Sequence, residues 1–258
     1  MYSECCSGEK NMDVKRTELL GVPVDNVRME DFENVVLSLL EKDESQQVVF
    51  LTIWELLKAK MNKNYLEAIQ NAALILPVSK SIIRGAKFLN NEELVRYNPF
   101  TSVINILSIL ELHCKSIYLL GSHKKTLMNA EKNIRKTFPH LSIVGRYVGN
   151  YKKSVEDDML TAIYKSSPAM VLLSEGIKEK NSWAFIHKDK LPKGITVYYS
   201  QAFPIFGEKI QRVSDKTFNK GLEIFHEILI NPLKVFLIFP FIVYMFMLLG
   251  EKLFGSKD

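Results

Sequence analysis

The sequence predicts an α/β domain in which a parallel sheet of about six strands is flanked by helices. Residues 117–151 give the first observation: an apolar run ends at Gly121, a segment with helical spacing follows, and a second apolar run at 141–144 ends at Gly145. A strand, helix, strand unit of this kind joins two parallel strands. The second observation is that strand-like and helix-like segments alternate along the remaining chain with short connections, as in doubly wound sheets.

The helix in this unit is predicted from the spacing of its apolar residues. Leu127, Ala130, Ile134 and Phe138 recur at helical intervals with polar and charged residues between them. One face of the helix is therefore suited to packing on a sheet. Pro139 ends the helix because proline has no backbone N–H and clashes with the preceding turn.

The other elements follow from the same patterns, taken in chain order. We predict strands at 19–27, 48–53, 74–77, 170–174 and 195–199. We predict helices at 29–40, 54–60, 64–70, 80–88, 102–112, 155–165 and 178–189. Ser79 and Thr101 stand where N-cap residues are expected, and residues 90–98 are polar and loop-like.

The C-terminal tail differs in composition from the rest of the chain. Residues 235–249 carry no charged side chain, and Pro240 would kink a helix there. A full crossing needs about 20 apolar residues, so the segment is either a short span or an anchor in the plane of the membrane. A core helix is the alternative. We expect a flexible tail at 1–17, the α/β domain at 18–232 and a hydrophobic helical membrane segment at 233–258.

Composition excludes several classes of protein. The formal net charge is +5, with 47% hydrophobic and 24% charged residues, and no arginine-rich or aromatic-basic stripe predicts nucleic-acid binding. Cys5, Cys6 and Cys114 have neither zinc-site nor disulfide-framework spacing, which favours a reducing compartment. The five histidines form no metal-binding pattern, so we expect neither a metal nor another cofactor.

The loop at 121–125 lies where a ligand would bind. It follows a predicted parallel strand and precedes a helix, and helix N-termini at this edge of a sheet offer N–H groups to anions. A phosphate or diphosphate is the ligand that suits it. A tight turn with solvated lysines is the alternative, since neither a GxGxxG nor a GxxxxGK[ST] motif is present.

Several segments together resemble one family. LLGVPVDNVRMEDF, YLLGSHKKTLMNAEKNIRKTFPHLSIVGRYVGNY, AFPIFGEKIQR and GLEIFHEIL, in this order over residues 18–232, are similar to the WecG/TagA/CpsF glycosyltransferases. The resemblance implies an inverting enzyme with a Rossmann-like core and no required metal. It implies transfer of an N-acetylmannosamine-type sugar from a UDP-sugar donor to polyprenyl-diphosphate-linked N-acetylglucosamine at the cytoplasmic face of the membrane.

The resemblance also implies a set of substrate-binding residues. Positions that keep the family's residue, or that lie at its strand-end motifs, are Thr52, Ser79, Gly121, Ser122, Gly176, Trp183 and Arg212. The family's C-terminal appendage, which helps bring the enzyme to the bilayer, corresponds here to the apolar tail. A homo-oligomer is left open.

The departures from the family fall in the active-site motifs. Val78 stands in place of the aspartate assigned as catalytic base, and a valine side chain cannot accept a proton. Trp54 replaces the asparagine of the TxN motif, Pro204 replaces an aspartate, and Glu227 replaces an arginine near the acceptor diphosphate.

The GxPxQE motif keeps Gly176 but has Lys178, Lys180 and Asn181 at its proline, glutamine and glutamate. The catalytic residues are therefore unknown. Glu175 and Glu179 are candidates for a relocated base, with solvated surface carboxylates as the alternative interpretation.

Two functions remain after this comparison. The first is a divergent membrane-associated glycosyltransferase of cell-envelope synthesis. The second is a catalytically inactive relative that binds a sugar nucleotide or lipid diphosphate, or that acts as a scaffold for envelope enzymes. A dinucleotide-dependent oxidoreductase has little support, because no glycine fingerprint follows the first strand.

Overall fold

A six-stranded parallel sheet forms the centre of the protein, as the sequence predicts. The computed structural model describes residues 14–220 and 238–254. The strands of the central sheet lie in the order β4-β3-β8-β7-β5-β6, and every neighbouring pair is parallel. Helices cover both faces, so the predicted Rossmann-like α/β class is confirmed.

The element boundaries are as follows. The strands are β1 (Lys15–Leu19), β2 (Val22–Asn26), β3 (Ser45–Leu51), β4 (Leu74–Pro77), β5 (Ser116–Leu120), β6 (Ser142–Tyr147), β7 (Met170–Leu173) and β8 (Gly194–Tyr198). The helices are α1 (Phe32–Glu41), α2 (Ile53–Met61), α3 (Lys63–Gln70), α4 (Lys80–Asn90), α5 (Pro99–Leu112), α6 (Lys124–Thr137), α7 (Glu156–Ser166), α8 (Ser182–Ile186), α9 (Ala202–Phe206), α10 (Asp215–Lys220) and α11 (Ile238–Phe254).

The apolar runs of the central strands provide buried side chains on both faces of the sheet. In β3, Val48 and Phe50 belong to one buried cluster, whereas Val49 and Leu51 belong to another on the opposite face. Alternate side chains of a strand point to opposite faces, so a continuous apolar run is what a doubly covered strand requires.

The predicted strand at 19–27 is a hairpin in the structure. β1 and β2 pair antiparallel around Leu20 and Gly21, and β1 begins at Lys15, inside the predicted tail. The hairpin is fixed to the edge of the sheet by buried Asp25, which accepts a hydrogen bond from the Ile75 N–H at 2.7 Å and pairs with Arg16 through two bonds of 2.7 and 2.9 Å.

Two of the predicted boundaries were wrong. β6 continues through Gly145 to Tyr147, because the glycine lies against the ring of Tyr118, where an added Cβ would overlap the ring. α5 begins two residues before Thr101, and its N-cap is Asn98, whose side chain accepts from the Phe100 N–H at 3.1 Å.

The predicted helix at 178–189 is interrupted. The α-helix covers Ser182–Ile186 and a 3₁₀ turn covers Lys188–Lys190. Lys180, just before the helix, has φ of +51°, a left-handed conformation that an α-helix does not contain.

The C-terminal helix α11 lies along α4. The buried Tyr244 donates its hydroxyl to the Ser81 carbonyl at 3.0 Å, and Lys252 donates to the Phe88 carbonyl at 3.0 Å. Tyr244 contacts Ser81 near the start of α4, and Lys252 contacts Phe88 near its end, so the two helices run in the same direction. Of the helices within 14–220 and 238–254, none is both long enough and apolar enough to cross a membrane. The rest of the predicted membrane segment, 233–237 and 255–258, lies outside the described residues.

Candidate functional site

A pocket of about 230 Å³ opens at the carboxyl edge of the sheet, where the loops after β3, β4 and β8 meet. Ligand sites of parallel sheets are found at this edge. The residues that line it are Thr52, Ile53, Trp54, Val78, Ser79, Asn98, Pro99, Phe100, Tyr199, Ser200, Gln201, Ile205, Arg212, Val213 and Phe218. Three of the predicted site residues, Thr52, Ser79 and Arg212, are therefore brought together.

Two hydroxyl groups join the strand-end loops. Thr52 is the N-cap of α2, and its Oγ1 accepts from the Glu55 N–H at 3.3 Å. Ser79 precedes α4 as predicted, but its hydroxyl makes no cap bond to α4 and instead accepts from the Ile53 N–H at 3.1 Å. The start of α2 is thus held by its own cap and by the residue before α4.

Arg212 supplies positive charge to the pocket. Its side chain is exposed, its Nη2 lies 3.5 Å from Thr101 Oγ1, and its guanidinium carbon is 5.7 Å from the centre of the Phe100 ring. Among the pocket-lining residues that the structure describes, it is the sole cation. A guanidinium beside an apolar wall can bind a phosphate through paired N–H donors.

Arg96 fixes the segment that covers one side of the pocket. Its Nε donates to the Val78 carbonyl at 2.6 Å, its Nη1 donates to the Phe218 carbonyl, and its guanidinium lies 3.8 Å from the centre of the Phe218 ring. Lys80 adds a bond of 3.2 Å to the Lys220 carbonyl. α10 is thereby attached to the β4 loop, and Phe218 becomes part of the pocket wall.

Two of the departures from the family pattern lie in the pocket itself. Val78 forms part of the wall, and Trp54, 41% exposed, also lines it. No carboxylate is among the pocket-lining residues of the described chain. Of the two candidate bases, Glu175 accepts from the Ser122 hydroxyl at 2.8 Å and lies 3.4 Å from Lys209 Nζ, and neither Glu175 nor Glu179 lines the pocket.

A second group of predicted residues lies at the ends of β5 and β7, and none of them lines this pocket. The Gly121 N–H donates to the Tyr147 carbonyl at 3.0 Å, and the Ser122 N–H donates to the Glu175 carbonyl at 2.5 Å. Gly176 accepts from the Asn150 N–H at 2.8 Å. The N–H groups of 121 and 122, predicted to bind a phosphate, are therefore hydrogen-bonded within the protein.

The last predicted residue, Trp183, lies in a separate buried cluster. Its side chain is fully buried, and its indole N–H donates to the Tyr151 hydroxyl at 2.7 Å. The family segments at 221–223 and Glu227 lie outside the described residues.

Sequence patterns did not indicate a polar cluster beside the start of α2. Burial raises the pKa of the Glu55 carboxyl group, while Asn181, Lys58 and Lys180 act in the opposite direction. Glu55 Oε2 and Asn181 Oδ1 are enclosed atoms for which the described residues provide no hydrogen-bond donor. The glutamate three residues after an N-cap threonine is a weak signal for a helix start but does not reveal burial.

No metal site is formed by the parts of the chain that the structure describes, because no three His, Cys, Asp or Glu side chains are grouped closely enough to hold an ion.

Comparison with known proteins gives a family match and a distant relative. A family model described as the glycosyl transferase WecG/TagA/CpsF family matches residues 17–258. An N-acetylglucosaminyldiphosphoundecaprenol N-acetyl-beta-D-mannosaminyltransferase of Bacillus subtilis (strain 168) is 22% identical over 173 residues, which are 66% of this chain and 66% of that protein. The alignment thus covers slightly less than two thirds of the relative. The family match includes every strand of the central sheet and every residue that lines the pocket.

Proposed function

Because the chain belongs to the WecG/TagA/CpsF glycosyltransferase family, we propose that it transfers an N-acetylmannosamine-like sugar from a UDP-sugar to a polyprenyl-diphosphate-linked N-acetylglucosamine. The observation that carries this proposal is the family match over nearly the whole chain, with Thr52 and Arg212 in one pocket at the carboxyl edge of the sheet. The product would serve cell-envelope polysaccharide or glycolipid synthesis.

The reaction requires few groups from the protein. An acceptor hydroxyl oxygen attacks the anomeric carbon, the bond from that carbon to the UDP oxygen breaks, and UDP leaves with the bonding electrons. The hydroxyl proton passes to a base that we do not assign. A guanidinium and the N–H groups at helix starts can stabilise diphosphate charge without a metal. Both substrates carry a diphosphate, so Arg212 suits either.

The second part of the proposal is attachment to the cytoplasmic face of the membrane through α11. One side of α11 is buried against α4, while the other presents large apolar side chains to solvent, among them Phe239, Val243, Phe246 and Leu253. Lys252, in the last turn of α11, adds positive charge at one end of this surface. A helix of this kind binds in the plane of a bilayer.

One observation favours a second candidate function. Without a carboxylate among the described pocket-lining residues, the pocket is better equipped to bind a diphosphate than to remove a proton. An inactive relative that binds a lipid diphosphate or a sugar nucleotide is therefore the alternative.

Acceptor-dependent UDP release by the full-length protein separates the two functions. We expect release with a short-chain polyprenyl-diphosphate N-acetylglucosamine, a loss of at least about tenfold in Arg212→Ala, and a loss in Thr52→Ala that Thr52→Ser reverses by restoring the hydroxyl. Arg135→Ala is the matched control. Arg135 lies in the last turn of α6, and after the substitution its ion-pair partner Glu131 still pairs with Arg146. Substrate binding without release would support the inactive relative.

A further inference from the structure

The loop after β7 is attached to the helices beside it through Asn181. The Gln47 side chain on β3 donates to the Asn181 carbonyl, and the Asn181 amide nitrogen donates to the Tyr65 hydroxyl on α3 at 3.2 Å. The carboxyl group of Glu55, in the first turn of α2, lies next to the same amide group. Asn181 is only 3% exposed, so its position depends on these neighbours.

Two oxygen atoms in this contact have no hydrogen-bond donor among the described residues. They are Glu55 Oε2 and Asn181 Oδ1, and both are enclosed. Enclosed acceptors without a donor are unfavourable, and one hydrogen between the two side chains would pair both groups. That hydrogen can be the carboxyl proton of Glu55. It can also be an amide hydrogen of Asn181, if the amide oxygen and nitrogen exchange places and the Tyr65 hydroxyl donates to the oxygen.

The groups that face Glu55 limit the charge that this site can hold. Burial is the largest influence and raises the pKa of the carboxyl group, while Lys58 on α2 and Lys180 on the β7 loop act in the opposite direction. The Tyr198 hydroxyl on β8 also faces the carboxyl group. Lys58 Nζ lies 3.7 Å from the centre of the Tyr65 ring. One negative charge is therefore tolerated here, and a second would be strongly unfavourable.

Both segments in the contact belong to the carboxyl edge of the sheet, where ligands bind. Glu55 directly follows residues 52–54, which line the pocket. Asn181 follows the loop that begins at Glu175, whose carboxylate accepts from the Ser122 hydroxyl. A shift of Asn181 against α2 would therefore move these two groups of strand-end residues relative to each other.

The acid and the amide have exchanged places relative to the family pattern. The TxN motif has its amide where this chain has Trp54, which Glu55 follows, and the GxPxQE motif has its acid where this chain has Asn181. The chain thus keeps one acid and one amide across the two segments, with the acid now on α2.

We propose that Glu55 and Asn181 form an acid–amide joint that holds the start of α2 against the loop after β7, and that Glu55 is thereby a positioning residue for sugar transfer. Glu55 is not among the residues that line the pocket, so it acts through residues 52–54. The role in transfer rests on the proposed function, whereas the joint itself does not. The two parts therefore have separate readouts.

Substitutions that keep the side-chain shape test the joint. Asn181→Asp places two carboxyl groups in the enclosed site. In urea at pH 8, we expect it to lower the unfolding midpoint of the full-length protein through like-charge repulsion, and to cost much less in the Glu55→Gln background, which restores one acid and one amide. At pH 5 the loss relative to wild type should shrink, because the two carboxyl groups can share a proton.

Asn129→Asp is the matched control for the unfolding experiment. Asn129 is exposed on α6, so the same change adds the same charge outside the joint. We expect its midpoint to stay close to that of the wild type at both pH values.

Turnover tests the positioning role. Because the joint sets the relative position of two segments, Asn181→Asp is expected to lower kcat for acceptor-dependent UDP release at least about tenfold at pH 8, with each KM changed less than about threefold. Glu55→Gln with Asn181→Asp should return kcat to within about threefold of wild type. The activity of Asn181→Asp alone should recover towards lower pH, whereas the double variant should follow the wild-type pH profile.

A second pair of variants tests Glu55 directly. Glu55→Ala removes the carboxyl group from the joint and should lower kcat, whereas Glu55→Gln still offers a hydrogen to Asn181 Oδ1 and should retain it. Equal kcat values for Glu55→Ala and wild type would contradict the positioning role.

The outcomes separate the joint from the reaction. An equal cost of Asn181→Asp in both backgrounds at pH 8, or a cost that does not depend on pH, would overturn the joint. Coupling in unfolding with unchanged kcat would support the joint and overturn its role in transfer. If the wild type releases no UDP with any acceptor, the proposed function and this role of Glu55 both fail, while the unfolding experiment still decides the joint.

Discussion

At the scale of single residues, Glu55 links the start of α2 to the stability of the protein. Burial raises the pKa of its carboxyl group above the ordinary value of 4.5, and Asn181, Lys58 and Lys180 offset this only in part. The enclosed group also faces Tyr198 on β8, whose pKa rises to about 12 mainly through burial and secondly through the charge of Glu55. Folding therefore disfavours the charged form of Glu55 relative to its form in water.

We predict that Glu55→Gln removes a pH dependence of stability. A carboxyl group with a raised pKa in the folded state stabilises the fold fully below the unfolded value, and this contribution is lost as pH rises through the folded value. Urea unfolding should show the variant more stable than the wild type at pH 8, with the gain disappearing towards pH 4. Glu41→Gln, at the exposed end of α1, serves as the control. An equal difference at both pH values would contradict the prediction.

The residue scale also shows what the sequence could predict about the site. Thr52, Ser79 and Arg212, which the family resemblance names as substrate-binding residues, line one pocket, and Thr52 and Ser79 do so because the strands before them end at the same edge of the sheet. The resemblance could not show that the Ser79 hydroxyl bonds to Ile53 instead of its own helix. It also could not show that Asn181 lies next to Glu55, because that contact depends on the packing of a loop distant in the chain.

At the scale of elements, Gly85 determines how closely α11 approaches α4. The Tyr244 hydroxyl occupies the space where a Cβ on Gly85 would lie, and Leu248 is next to it. Glycine in a helix costs about 1 kcal/mol relative to alanine. Here that cost is offset by the contact that the missing side chain allows.

We predict that Gly85→Ala destabilises the protein by about 1–3 kcal/mol despite the gain in helix propensity, because the methyl group displaces Tyr244. Tyr244→Phe alone should cost about 0.5–1.5 kcal/mol through the lost bond to the Ser81 carbonyl. Combined with Gly85→Ala, it should cost less than the sum, since the overlapping hydroxyl is gone. Chemical unfolding of the four proteins measures this coupling, and strictly additive costs would show that the two positions do not interact.

Element positions followed from the sequence more reliably than element ends. Apolar runs and helical spacing located β3 to β8 and most helices, because burial on two faces leaves a strong pattern. The hairpin of β1 and β2 and the continuation of β6 through Gly145 were missed. Both depend on partners outside the segment, namely the edge strand that receives the hairpin and the Tyr118 ring beside the glycine.

At the scale of the whole molecule, the exposed apolar side of α11 governs the proposed membrane attachment. We predict that the full-length protein floats with vesicles that contain anionic lipid, and that Phe246→Asp weakens this association about tenfold or more, because Phe246 is 70% exposed and its burial in lipid is worth about 1.5–3 kcal/mol.

Tyr164→Asp is the matched control for this experiment. Tyr164 is also an exposed aromatic residue, at 60%, but it lies on α7, which packs beside β6, whereas α11 packs on the helices next to β4 at the opposite edge of the sheet. Equal loss of flotation in both variants would show that general surface hydrophobicity, and not α11, determines vesicle binding. No flotation of the wild type would remove α11 as the membrane surface.

The strand order determines when the pocket can form during synthesis of the chain. β8 is the last strand of the sheet to be made, yet it lies at the centre between β3 and β7, with Ser45 opposite Gly194. Until β8 emerges from the ribosome, β3–β4 and β5–β6–β7 can form only two half-sheets with unpaired inner edges. Tyr199 and Ser200, which complete the pocket wall, follow β8 directly. A nascent or truncated chain that lacks β8 therefore cannot bind a ligand in the pocket. Ligand binding thus shows that the two half-sheets have joined.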